Sequence, residues 1–264
     1  MTLVDKKNIK DIKNWFSSYV QTFKSRDSKT RQNIILKEKH TLRVCKEILY
    51  LGGRLQLPPA ELRLAEIAAL LHDIGRFEQY SRYKTFIDAK SENHAELGVA
   101  ILKEKDVLKE LDEPVKELVF KTILFHNRAT LPVDETESCL FFTRLLRDAD
   151  KLDIWKVVTD YYYRKNGRKN GSIGLDLPDT AGISEHVYQD LLNRRVVNMR
   201  HVQNLNDFKL LQVGWVFDIN FLPTFERLKK RGYIEMIREV LPDTVKIQQI
   251  FEIISYTMEN NKSE

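Results

Sequence analysis

The chain has 264 residues, 42% hydrophobic and 31% charged, with a formal net charge of +5 and a pI near 9.0. That is enough chain to bury a substantial globular core, and no run approaches the roughly 18 to 20 uninterrupted apolar residues of a bilayer span, so no membrane segment is expected. Residues 1–13 mix charges and lack the apolar stretch of a secretory signal, and the two cysteines, Cys45 and Cys139, sit among apolar neighbours as small buried residues would; neither export nor a disulfide framework is expected, and the cytoplasm is the expected compartment. The positive charge mildly favours anionic ligands, with nucleic acid a weakly indicated partner.

Read for periodicity, the chain is helical nearly throughout. Ile9, Ile12, Phe16, Val20 and Phe23 recur at three- and four-residue steps and build one apolar stripe. Over 31–51 the same spacing carries Leu36, His40, Val44, Ile48 and Leu51, so His40 points inward. Pro58 and Pro59 open the next helix, where a missing N–H costs least, and Gly75 is expected to supply the left-handed residue that closes it, placing His72-Asp73 on its last turn. After Glu66 the residues to Leu71 are wholly apolar, which marks a helix buried on most sides.

Ser91 is the expected N-cap of a helix whose one face carries His94, Leu97, Gly98, Ile101 and Leu102. Pro114 begins another, and its stripe of Val115, Leu118, Val119 and Thr122 ends at His126. A long helix is expected from about Cys139 to Tyr163, followed by a loop over 164–183. Within it Arg164, Lys165, Arg168 and Lys169 read as a solvated flexible loop, with a polyanion contact or an active-site flap as the alternatives. Residues 184–264 read as about three more helices, interrupted near Pro223, Gly232 and Pro242. His186 and His201 read as surface residues, while Tyr161, Tyr162, Tyr163, Trp215, Phe217, Phe221 and Phe225 read as helix packing rather than a nucleotide pocket wall. No strand alternation and no repeat is evident. The expected fold is all-α, a single domain over 1–264 with a core of about 31–163 and a C-terminal helical extension of about 184–264.

The chemistry lies in the series His40, His72-Asp73-Ile74-Gly75-Arg76, His94, His126, Asp150. A buried imidazole with no partner costs about 1–3 kcal/mol. Four of them at inward positions near helix ends are satisfied together by a metal centre, and an aspartate next to a histidine can place its two oxygens on two ions. Near the end of the series, periodicity leaves three carboxylates open: Asp148 lies on the stripe of Phe141, Leu145, Leu152 and Trp155, while Asp150 and Asp153 follow Phe142 and Leu146. Asp153, one turn beyond Asp150, is a residue that orients a ligand imidazole or assists proton transfer, or else an ordinary helix-surface carboxylate.

The phrases His-Asp-Ile-Gly-Arg, His-Ala-Glu-Leu-Gly, His-Asn and Asp-Ala-Asp-Lys-Leu-Asp, in that order over 32–155, resemble those of the HD superfamily of metal-dependent phosphohydrolases. The resemblance implies an HD-domain helical bundle with two divalent ions (Mn, Mg, Fe, Ni or Zn). His40, His72 and Asp150 would hold one, His94 and His126 the other, and Asp73 would bridge them. Its Ala-Asp-Lys-Leu phrase favours Asp150 over Asp148. The implied activity is hydrolysis of a small phosphorylated substrate or nucleotide by metal-activated water. Arg76 and Lys151 are the expected phosphate clamps, Asn127 is a further substrate contact or a loop fastener, and Arg147 is expected to pair with a carboxylate. The same ligand order also occurs in di-iron oxygenases of the superfamily, and a non-catalytic nucleotide-binding module is a third reading. The Gly-Tyr-Pro phrase of the cyclic-dinucleotide phosphodiesterases is missing, and no P-loop fingerprint occurs.

Overall fold

The computed structural model describes residues 4–24, 26–163 and 171–260, and these are helical with no strand. The cluster Arg164, Lys165, Arg168 and Lys169 lies outside the described residues. By packing, the chain divides into two compact units, one ending at Asp153 and one beginning at Ile154. Among the described residues no helix is long and apolar enough to cross a membrane.

In the first unit, α1 (Lys6–Thr22) starts at Asp5, whose side chain and that of Asn8 cap each other's backbone N–H groups, and it buries Ile9, Ile12, Phe16 and Val20. Asp27 caps α2 (Ser28–Arg54), accepting from the Thr30 N–H at 2.7 Å, and α2 turns His40, Val44, Ile48 and Leu51 inward. Then come α3 (Pro59–Leu71) and α4 (Ile74–Tyr83), followed by α5 (His94–Glu104), α6 (Glu113–Phe125) and α7 (Glu137–Tyr162). Proline stands in the first turn of α3 and of α6. The closest pairings are α2 with α3 and α4 with α5, while α3 also packs on α1 and α6. Both cysteines are buried free thiols.

Two local expectations are corrected here. Gly75 is not the left-handed stop of α3: it lies in the first turn of α4, and the positive-φ glycines are Gly182 and Gly232. The two helices are separated instead by Asp73, whose φ of −104° and ψ of 15° leave the helical path. Nor does Ser91 cap α5. Asn93 does, accepting from the Ala95 and Glu96 N–H groups, while the Ser91 hydroxyl donates to the Ile87 carbonyl.

In the second unit the structure again departs from expectation: where about three helices were expected over 184–264, the described residues of that stretch form five, α8 (Glu185–Leu192), α9 (Leu205–Gly214), α10 (Leu222–Arg231), α11 (Tyr233–Glu239) and α12 (Val245–Asn260). Gly232, at φ +64°, separates α10 from α11. Around α8 and α9 the chain is held by carboxylates: Asp207 accepts from the Ser184 and Gln203 backbone N–H groups at 2.7 and 3.0 Å, and Asp190 pairs with the His201 side chain, its Oδ2 2.7 Å from Nδ1. Such bonds leave no periodic trace in a sequence. The aromatics pack as expected. Trp155 donates to the Gln212 carbonyl at 3.0 Å and lies edge-on to Trp215, and Tyr162 donates to the Gln212 side chain at 2.9 Å.

Candidate metal centre

Two helix ends build half of the centre by the same local device. His72 follows α3 and His126 follows α6 as C-caps, and each turns its ring back so that Nδ1 faces the carbonyl three residues earlier: Ala69 at 2.7 Å and Ile123 at 2.6 Å. A carbonyl only accepts, so each Nδ1 carries the proton and each Nε2 presents a lone pair. Both rings also sit at the partially negative end of a helix, which favours a cation there.

In the other two histidines a carboxylate holds Nδ1. His40, midway along α2, has Nδ1 2.7 Å from Asp153 Oδ2, and Arg43 donates to both oxygens of that carboxylate at 2.5 and 2.9 Å. His94, the first residue of α5, has Nδ1 2.7 Å from Asp88 Oδ2. Although burial opposes ionisation of Asp153 and Asp88, their hydrogen bonds with His40 and His94 hold both below the usual carboxylate range, so both accept.

All four Nε2 atoms therefore turn to one buried cluster that includes Asp73 and Asp150. His94 Nε2 lies 3.2 Å from His126 Nε2 and 3.5 Å from Asp73 Oδ1. On the other side Asp73 Oδ2 is 3.5 Å from His40 Nε2 and 3.7 Å from His72 Nε2, while Asp150 Oδ1 is 3.1 and 3.8 Å from the same two nitrogens. The two carboxyl oxygens of Asp73 thus face different histidines. Two triads have ligand atoms within 4.8 Å of one another: His40, His72 and Asp150, and His72, Asp73 and His126. Asp148 is fully buried and belongs to neither triad.

The residues fit metal. Burial, reinforced by Arg76 for His94 and by the neighbouring His94 ring for His126, lowers these imidazoles to about 4 and about 3, so both are neutral. Two neutral rings with protonated Nδ1 then aim lone pairs at each other across 3.2 Å with no proton between them, a repulsive arrangement that a cation relieves. Two nitrogens each about 2.1 Å from one ion, at tetrahedral to right angles, are about 3.0 to 3.4 Å apart. His72 Nε2 is buried without a hydrogen-bond partner, the signature of a group awaiting one. At His40 burial and Lys37 oppose protonation, but Asp150 and Asp153 outweigh them and raise it to about 9, so a proton occupies the position a metal would take against Asp150. Burial likewise opposes ionisation of Asp73, which Lys37, His72 and Arg76 keep well below the usual carboxylate range.

The charged and amide groups expected to meet substrate are placed as follows. Arg76 Nε lies 3.5 Å from Asp73 Oδ1, but its Nη1 donates to Gln79, the Phe86 carbonyl and Asp88 at 2.9, 2.5 and 2.7 Å, bracing the segment before α5. Asn127 donates to Asn93 at 3.0 Å and to Asp88 at 3.4 Å, which fastens the segment after α6 to the start of α5. Lys151 is buried beside Asp150. Arg147 donates to the His126 carbonyl at 3.1 Å and to that of Arg128, supporting a candidate ligand through its backbone. His201 and His186 pair with each other in the second unit, rings 5.0 Å apart.

Lys37, Arg43 and Asp88 were not singled out in the sequence. Lys37 donates to Asp73 Oδ2 at 2.7 Å. Lys37 and Arg43 stand three residues either side of His40, so helix spacing could have found them. Asp88 lies in a short 3-10 turn and offered no such cue. Gly75 acquires a different role: a Cβ there would lie 2.1 Å from the His94 carbonyl oxygen, so its absence is what lets α4 approach α5 and bring the His-Asp doublet beside His94.

Residues 38–155 match the family model for the HD domain, a span that contains all six ligand candidates. No curated protein matches the chain, and no solved structure does.

Proposed function

From an HD domain at residues 38–155, we propose that this chain is a metal-dependent phosphohydrolase that uses two divalent ions to cleave a phosphate ester or nucleotide. The observation that carries the reading is the convergence of four Nε2 atoms, each ring fixed through Nδ1, on two buried carboxylates. His40, His72 and Asp150 would hold one ion, His94 and His126 the other, with Asp73 shared. When bound, such ions supply a water of lowered pKa and neutralise phosphoryl charge.

The chain's own residues do the rest. Asp153 and Asp88 hold Nδ1 of His40 and His94, and the Ala69 and Ile123 carbonyls do the same for His72 and His126, so each ring is already oriented and loading asks His40 to give up its Nε2 proton. Burial removes competing water from five of the six candidate ligands, and Asp150 alone keeps part of its surface open.

Protein purified without chelator should carry close to two equivalents of divalent metal and release phosphate from members of a monoester, diester and nucleotide panel. Asp73→Ala should lower turnover roughly a thousandfold or more, because both ions lose their shared ligand. Near-normal hydrolysis by that variant would refute the shared-ligand mechanism. Dioxygen-dependent substrate consumption by iron-loaded protein, with no phosphate released from any ester, would replace it with oxygenase chemistry.

A further inference from the structure

Arg43, Arg76 and Lys37 each meet a carboxylate at the centre, and they differ in what they neutralise. Arg43 pairs with Asp153, and Arg76 pairs at 2.7 Å with Asp88 while its Nε stays 3.5 Å from Asp73; Asp153 and Asp88 support imidazoles and stand outside the candidate ligand set. Those charges compensate each other whether or not metal is present. Lys37 pairs with Asp73, the carboxylate both ions would share, at 2.7 Å. Once that carboxylate is drawn on by two divalent cations, the ammonium is left without its counter-charge in a largely buried place, its side chain 19% exposed.

Its attachment suits a change of partner. The Arg76 guanidinium is fixed by three hydrogen bonds through one nitrogen, whereas Lys37 gives Asp73 one of its three N–H donors and rests over the Phe86 ring, 5.4 Å from the centroid.

We propose that Lys37 is the residue that binds the substrate's phosphoryl group, and that its charge favours doubly ionised terminal phosphates over singly charged diesters. The inference rests on the metallohydrolase reading above and names its substrate class. Arg76, expected from the sequence as the clamp, is a positioning residue for the segment that carries Asp88. Two carboxylates, four neutral imidazoles, two divalent ions and the ammonium leave the cluster with an excess of positive charge, and a dianion compensates more of it than a monoanion does.

The test uses the full chain loaded with Mn, comparing wild type, Lys37→Met, which keeps the stem over Phe86, and Lys37→Arg. Mn uptake is measured first by calorimetry, then the affinity for inorganic phosphate, then kcat/KM on a phosphomonoester and a phosphodiester. Lys37→Met should take up Mn with wild-type stoichiometry and at least wild-type affinity, yet bind phosphate at least tenfold more weakly and lose at least tenfold in its monoester-to-diester ratio. Lys37→Arg should recover most of both. Phosphate affinity within twofold of wild type in Mn-loaded Lys37→Met would overturn the proposal. So would loss of Mn from that variant, since Lys37 would then be a support for Asp73. A wild-type chain that takes up no Mn would overturn the metal centre itself; one that hydrolyses esters while Lys37→Met keeps its phosphate affinity would overturn this inference alone.

Discussion

Gly75→Ala separates the architecture of the centre from its ligands, because it changes none of their side chains. The added Cβ would lie 2.1 Å from the His94 carbonyl oxygen, 2.8 Å from the Gly98 nitrogen and 3.1 Å from the His94 carbonyl carbon, all backbone atoms that no rotamer change can clear. Restoring an ordinary contact requires α4 and α5 to part by about 1 Å, at an overpacking cost of about 1–3 kcal/mol. Alanine's helix-propensity advantage over glycine returns about 1 kcal/mol, which leaves a net destabilisation of up to about 2 kcal/mol. The same displacement moves His94, whose Nε2 lies 3.5 Å from Asp73 Oδ1, by several times the roughly 0.2 Å that a metal–ligand distance tolerates. Gly98→Ala is the control: its nearest contacts are the Ile74 methyl at 3.2 Å and the Gly75 nitrogen at 3.3 Å, and the propensity gain offsets so small a crowding. Urea unfolding in chelator reads the fold alone, and Mn titration reads the ligands. Gly75→Ala should fall in both, with Mn affinity down at least tenfold, while Gly98→Ala stays within about 1 kcal/mol of wild type. Equal stability and equal Mn affinity for the two variants would refute the close-approach argument.

Asp153→Asn should weaken metal binding about 10- to 100-fold with the helical circular dichroism unchanged, since the amide still fills the space but no longer holds the proton on His40 Nδ1; unaltered affinity would remove Asp153 from the centre. Stability of the metal-free chain should peak near neutral pH. His94 and His126, lowered to about 4 and about 3, stay neutral in the fold while the unfolded chain takes up their protons below about 6.5, so stability falls on acidification by about 1.4 kcal/mol per pH unit per group until those lower values are reached. His40, raised to about 9, has the opposite sign: its contribution is fully present below about 6.5 and is lost as pH rises through 9. A urea midpoint that stays flat between pH 7.5 and 5 would contradict the burial of neutral imidazoles.

What the sequence made legible is the part encoded within single helices. The stripes of α1 and α2 and the inward aim of His40 follow from three- and four-residue spacing, and the structure buries Ile9, Ile12, Phe16, Val20, His40, Val44 and Ile48 as that spacing requires. The same logic could not choose among Asp148, Asp150 and Asp153, because a helix buried on several sides gives each of them an interior. What escaped depends on contacts between elements. Gly75 looked like a helix stop because glycine commonly is one, but its purpose here is set by the His94 carbonyl of another helix. Asp88 acquires its role only because the α4–α5 approach folds its short turn back over His94, and Asn93 displaced Ser91 as the cap because Ser91 is held by Ile87 and Gln79.

His72 and His126 are oriented by carbonyls three residues away, whereas the partner of His40 is 113 residues distant. The first pair is set as soon as α3 and α6 form their last turns, and the His40 contact exists only when α2 and α7 are docked. Each proposed ion draws on one ring of the early kind, His72 or His126, and on one that needs an assembled fold, His40 or His94. Neither ion can therefore be retained by a loosened, still-helical chain, and metal release should coincide with the loss of tertiary structure rather than with the melting of helices.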